Sequence, residues 1–240
     1  MFTELDVIKN IYIPAARQHK NTFGFFSGMH KGETIVIFGT GKTYKDYNFS
    51  IPGHHIAINH AIRKDPSQFR YFFTSDYDEN ARIDIEIAET NQRCKKFYPF
   101  YNHPTLSDGQ VTFIPAKYRE AHNSFSFFGE YVSPDEVSGF TVNPDITCSP
   151  LTCFGTTSHF AFQFALWTRP KTIYLVGMDC QKGHCEGLGY NEEEEKADPA
   201  RFIDGWRIFK QYTDMYYPDT HIIVVNPVGL KGVFEETNTK

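Results

Sequence analysis

Thr34-Ile35-Val36-Ile37-Phe38-Gly39-Thr40-Gly41-Lys42-Thr43-Tyr44 is an apolar, β-branched run that stops at a Gly-Thr-Gly step and continues into a lysine and a threonine. A buried parallel strand that ends this way and runs into a helix sets backbone N–H groups beside a helix N-terminus. Amide donors and the helix dipole there suit a phosphate or carboxylate. The expected chemistry is nucleotide binding, with Gly39, Thr40, Gly41, Lys42 and Thr43 in contact with the ligand. Gly-Lys-Thr also closes a P-loop, but that motif needs a glycine five positions before its second glycine, where Val36 stands. A short Rossmann-like Gly-x-Gly turn fits better than a looped Walker cradle. The plain alternative is an ordinary strand-to-helix turn.

Such a turn needs neighbouring strands, and the chain supplies them in order. His55-Ile56-Ala57-Ile58-Asn59 reads as a second strand that feeds a second helix, and Arg70-Tyr71-Phe72-Phe73-Thr74-Ser75-Asp76 as a third. A polar helix is expected from about Glu79 to Lys96. Thr172-Ile173-Tyr174-Leu175-Val176-Gly177-Met178-Asp179 is another buried strand, Ile203 to Tyr216 a helix, and His221 to Pro227 the last strand. Ser158 is a candidate N-cap for the apolar helix His159 to Trp167. A leading helix is expected over Glu4 to Gln18, interrupted at Pro14, and a short strand over Val111 to Pro115. His122 to Asp145 has no clear period and reads as a loop or lid, with Phe125, Phe127, Phe128 and Tyr131 covering a pocket or packed on the core. Alternating strands and helices, with polar residues at the strand carboxyl ends, predict a Rossmann-like open, mainly parallel sheet with helices on both faces.

Composition narrows the function. With 240 residues, 40% hydrophobic and 16% aromatic, the chain has material for one large α/β domain over 1–240, with a leading helix in 1–30 and a lid at about 115–150. A net charge of -5 and a pI near 6.0 leave no basic stripe for nucleic acid. No apolar run reaches the roughly twenty residues of a membrane span, and Met1 to Asp6 is acidic, so a cytoplasmic protein is expected. The five cysteines are scattered without a Cys-x-x-Cys pair, which favours reduced thiols. A homo-oligomer is compatible with all of this.

The same order of motifs resembles a superfamily of bacterial transferases that includes lipooligosaccharide sialyltransferases and motility-accessory nonulosonic acid transferases. Thr157-Ser158 through Ala165-Leu166 to Ile173-Tyr174-Leu175-Val176-Gly177-Met178-Asp179 is similar to the Thr-Ser-Gly helix and Ile-Tyr-Leu-x-Gly-x-Asp strand of the sialyltransferases. A similar domain occurs in archaeal 6-hydroxymethylpterin diphosphokinases. The resemblance spans roughly Lys31 to Val233 and implies nucleotide contacts at Gly39, Thr40, Gly41, Lys42, Thr43, Asn59, Thr157, Ser158, Gly177 and Asp179, with Asp76 facing the pocket. It implies a transferase that takes a CMP-activated, sialic-acid-like sugar as substrate, passes it to a glycan or small-molecule acceptor and holds no tightly bound cofactor. Two departures stand out: Lys42 replaces the family's proline after Gly-x-Gly, and His159 replaces the glycine after Thr-Ser.

A transfer of this kind needs a general base near the nucleotide phosphate. His184, in the glycine-flanked loop Gly183-His184-Cys185-Glu186-Gly187 after the Asp179 strand, is the first choice, followed by His159 and Asp76. His54 and His55 stand at the wrong end of their strand. Cys180, His184 and Cys185 suggest zinc but lack a fourth ligand at a defined spacing, so no metal is assigned. The diphosphokinase alternative would require Mg²⁺ on carboxylates such as Asp76 and Asp179. A second alternative is a nucleotide-binding module without turnover.

Overall fold

The computed structural model describes residues 13–76, 79–101, 122–133, 136–137, 139–188 and 199–238. The strand expected at Val111 to Pro115 lies outside them. All nine described strands run parallel in one open sheet, together with four helices. The strands are β1 (Thr34–Phe38), β2 (His54–Ile58), β3 (Tyr71–Phe73), β4 (Lys95–Tyr101), β5 (Ser124–Tyr131), β6 (Leu151–Cys153), β7 (Thr172–Val176), β8 (His221–Val225) and β9 (Glu235–Thr237), in the order β6-β5-β4-β3-β2-β1-β7-β8-β9. The helices are α1 (Ile13–Phe26), α2 (Glu79–Thr90), α3 (Ser158–Trp167) and α4 (Pro199–Tyr216). This is the Rossmann-like α/β class that the sequence predicts.

Alternation along the strands divides the core. Ile35, Ile37, Ile56, Ile58, Tyr71, Phe73 and Phe97 face one layer with Phe23 and Phe26 of α1, Phe164 of α3 and Trp206 and Phe209 of α4. Val36, Phe38, Ala57, Phe72 and Tyr98 face the other layer, with Tyr44, Tyr47 and Ile62 from two short turns and Ile85 and Ala88 of α2. Phe97 stacks on Phe73 at 4.5 Å and on Phe125 at 5.3 Å between ring centroids, which ties three strands together.

Several local expectations are corrected. Residues 4–12 of the leading helix expected over Glu4 to Gln18 lie outside the described residues; α1 runs over Ile13–Phe26, and Pro14 sits in its first turn, where a missing N–H removes no helical hydrogen bond. The helix expected to reach Lys96 stops at Thr90, and Lys95 opens β4. Lys96 is buried there with its ammonium 2.9 Å from Glu89, an ion pair that lets a cation enter the sheet. Part of the expected lid is strand β5, paired with β4 from Lys96 to Tyr101, and Phe127 lies in the core. Among the described residues no α-helix follows β1 or β2: 3₁₀ turns occupy Lys42–Tyr44, Asn59–Arg63 and Pro66–Gln68. Aromatic packing holds the first of these, since Phe38 meets Tyr44, Tyr47 and Phe49 at 5.2–5.5 Å. Ser158 is the first residue of α3, and the capping position falls on Thr157, which makes no side-chain cap bond.

His159 is a core residue and is unsuited to act as a base. It is fully buried between Phe154, Trp206 and Phe209, and its Nδ1 accepts the Phe154 amide at 3.1 Å. Burial pushes its pKa down to about 3, and the Arg201 charge acts in the same direction. The unfolded chain therefore takes up a proton near pH 6.5 that the folded chain refuses, so stability contributed by the neutral ring is lost as pH falls from about 6.5 toward 3. His19, His30 and His55 are shifted down by burial as well and add to the effect. We expect His159→Gln, which keeps an acceptor for the Phe154 amide, to lose less stability than wild type between pH 7.5 and 5. The difference should be up to about 1.4 kcal/mol per pH unit in denaturant melts, and equal losses would contradict this.

Candidate functional site

Strand order reverses between β1 and β7, and an open parallel sheet forms its ligand crevice outside the carboxyl ends of the strands at such a point. Gly39-Thr40-Gly41 leaves β1 there and Gly177-Met178-Asp179 leaves β7, so the structure brings the two motifs together as the sequence predicts. They close on each other. The Gly39 amide donates to Val176 O at 2.8 Å and the Gly41 amide to Gly177 O at 2.9 Å. The Thr43 amide donates to Asp179 Oδ2 at 2.9 Å, and the Thr43 hydroxyl donates to Asp179 Oδ1.

These contacts correct the picture of bare N–H groups at a helix start. The helix is a three-residue turn, and the buried Asp179 carboxylate occupies the place beside the Thr43 amide where an anion would sit. The glycines serve this closure. A Cβ on Gly39 would stand 2.6 Å from Gly177 O, and one on Gly41 would stand 2.5 Å from Asp179 Cγ. Gly177 itself adopts φ +65°, a left-handed conformation natural to glycine.

The loop after β7 folds over the same turn. Cys185 donates its amide to Thr40 O at 2.7 Å, and Thr40 Oγ1 and His184 Nδ1 share a hydrogen bond of 3.0 Å. A Cβ on Gly183 would lie 2.6 Å from Lys42 Nζ, so the lysine side chain crosses that glycine. Lys45 pairs with Glu186 at 2.6 Å on the outside. Thr40, Lys42 and His184 thus gather at the switch point, whereas Cys180, His184 and Cys185 do not converge as metal ligands.

The remaining expected residues line the carboxyl edge farther out. Asn59 follows β2 with φ +48°, donates from Nδ2 to Asp76 Oδ2 at 2.6 Å, and holds its own Oδ1 buried without a partner. Ser75 and Thr157 join hydroxyls, and Ser158 Oγ lies 2.8 Å from Thr156 Oγ1. Asp76 and Asp179 leave strands three places apart, roughly 14 Å at parallel-sheet spacing, so the strand ends do not present them as a pair. Three of the six described non-glycine residues with positive φ, Asn59, Cys180 and Asn226, follow β2, β7 and β8 directly or within a few residues, so backbone strain gathers at this edge.

Arg201 escaped the sequence reading. Its guanidinium donates to Tyr131 Oη at 2.5 Å and to Val132 O, and covers the Tyr131 ring at 4.3 Å. It brings a cation from the start of α4 to the ends of β5 and β6, and no periodicity marks it. A cleft of about 520 Å³, lined by Lys31, Arg169, Lys171, Tyr217 and Asp219 among others, opens at the opposite, amino edge of the sheet. None of the expected site residues lines it.

Compared with known proteins, the chain matches no family model and no curated protein.

The close approach of β1 and β7 yields a test. We expect Gly41→Ala to lower stability by about 1–3 kcal/mol, the range for overpacking, because its Cβ has backbone and Asp179 in its way. Gly24→Ala, on α1 with nothing within 4 Å of the added Cβ, should be neutral or stabilising. Thermal melts that leave Gly41→Ala at the wild-type midpoint would contradict the closure.

Proposed function

We propose that the protein is a nucleotide-dependent transferase, a glycosyltransferase whose donor is a CMP-activated nonulosonic sugar and whose acceptor is a glycan or small molecule. The observation that carries this reading is the meeting of Thr40, Lys42 and His184 at the reversal of strand order between β1 and β7. Because Asp179 already holds the Thr43 amide, the donor phosphate in this reading is met by side chains, with Lys42 as its cation and Thr40 as a hydroxyl donor. The unpartnered Asn59 Oδ1 suits a ligand donor such as an exocyclic amine or a sugar hydroxyl. His184 takes the acceptor proton as the phosphate leaves.

The separation of Asp76 from Asp179 favours this over diphosphokinase chemistry, in which a shared Mg²⁺ would need both carboxylates. Among the described residues no helix is long and apolar enough to cross a membrane.

A thermal-shift screen with CMP, CDP, UDP, GDP and ATP, each with and without Mg²⁺, tests the reading, because a ligand bound only by the native state raises the midpoint. Cytidine nucleotides should give the largest shift without Mg²⁺. Lys42→Ala should reduce the CDP shift more than the cytidine shift, and His184→Ala should keep the shift while transfer falls about a hundredfold to ten-thousandfold. A shift confined to ATP with Mg²⁺ would favour the diphosphokinase chemistry. Equal losses for CDP and cytidine would remove Lys42 from the phosphate.

A further inference from the structure

The amino edge of the sheet carries a second cluster that the transferase reading does not use. Glu33 Oε2 lies 2.7 Å from His30 Nδ1 and 2.7 Å from His54 Nε2. The two imidazoles overlap at 4.0 Å between centroids with 33° between their planes. Among the described residues this is the one group of three histidine, cysteine or carboxylate side chains whose ligand atoms all lie within 4.8 Å of one another. From these contacts we infer that His30, Glu33 and His54 form a binding site for a divalent transition-metal ion of the zinc class.

The donor set fits such an ion. Two imidazole nitrogens and one carboxylate oxygen are the ligands of open zinc sites, in which a water completes the tetrahedron. The Glu33 side chain is 51% exposed, which leaves one side open for that water, while the His30 side chain is 2% exposed and the His54 side chain 21% exposed. Bonds of about 2.0–2.2 Å place tetrahedral ligands roughly 3.4 Å apart, so the carboxylate has to move back by about 0.7 Å from each ring. Its exposure allows this.

The backbone beneath the three ligands is fixed. The His30 amide donates to Thr168 O at 2.9 Å, the Glu33 amide donates to His30 O at 2.9 Å, and Glu33 O accepts the Lys171 amide at 2.8 Å. His54 opens β2, and the preceding Gly53 packs so closely on β1 that an added Cβ would stand 2.6 Å from Thr34 O. Ligands carried on such anchored segments need little reorganisation to bind.

The groups behind the two rings define what binding requires. Without metal each ring uses a proton to bond Glu33, so metal binding moves that proton to the other ring nitrogen and both imidazoles stay neutral. For His30 the acceptor is in place: Nε2 lies 2.6 Å from Tyr71 Oη, whose hydroxyl can turn to receive the proton. For His54 the neighbour at Nδ1 is Arg70 Nη1, 3.1 Å away, a donor that must swing out. Arg70 is exposed and free to do so, and its positive charge opposes the cation. Arg70 therefore weakens the site.

Titration of the metal-stripped full chain with Co²⁺ and Zn²⁺ tests this, read by the visible bands of four-coordinate Co²⁺ and by calorimetric stoichiometry. One ion per chain is expected. His54→Ala and Glu33→Gln should each weaken binding at least tenfold, the latter although glutamine can still accept from the histidines, and Arg70→Ala should bind at least as tightly as wild type. A metal-free thermal melt of each variant separates misfolding from ligand loss. No stoichiometric binding by wild type would leave a hydrogen-bonded clasp and overturn the proposal. Unchanged binding by folded Glu33→Gln would place the ion elsewhere and overturn it equally.

Discussion

The closure of β1 onto β7 is the constraint on which the rest of the carboxyl edge depends. Two strands from the two halves of the chain leave the sheet side by side, and their ends must stay close for a crevice to form between the loops that follow. Gly39, Gly41 and Gly177 allow the approach, and Asp179 locks it by accepting both the amide and the hydroxyl of Thr43. A carboxylate that takes two hydrogen bonds in a buried place replaces what would otherwise be unpaired donors. Thr40 then presents its carbonyl to Cys185 and its hydroxyl to His184, so the position of the loop after β7 follows from the closure.

Aromatic packing sets the frame around this junction. On one face Phe97 meets Phe73, Phe125 and Phe164, and on the other Phe38 meets Tyr44, Tyr47, Phe49 and Phe69. The second group covers the sheet with turns where a helix would ordinarily lie, because the large rings fill the volume that helical side chains would supply. A rigid platform of this sort leaves functional variation to the loops at its two edges.

The sheet was legible where strands are buried on both faces. β1, β2, β7 and β8 are runs made mostly of β-branched and aromatic residues, and their carboxyl-terminal polar residues do converge on one edge. β4 and β5 were hidden because Lys95 and Lys96 look like the end of a polar helix and because serines separate the phenylalanines of β5; burial of Lys96 against Glu89 is a tertiary event that no local pattern shows. The motif Gly-Thr-Gly-Lys-Thr is legible as a turn that ends a buried strand, but its amides serve the partner strand, since the role of Asp179 depends on an approach between residues far apart in sequence. Arg201 and the His30, Glu33 and His54 cluster had no signal for the same reason: their members come from separate segments or from spacings too ordinary to notice.

The central claim is that a nucleotide sits at the carboxyl edge between β1 and β7. Amide hydrogen exchange of the full chain with and without saturating CMP measures this directly, since a bound ligand slows local opening where it makes contact. The account predicts protection confined to residues 39–45, 59–63 and 177–188, with no change at the amino edge around 29–33 and 217–220. Protection centred on the amino-edge cleft of Lys31, Arg169 and Lys171, or none at residues 39–45, would contradict it.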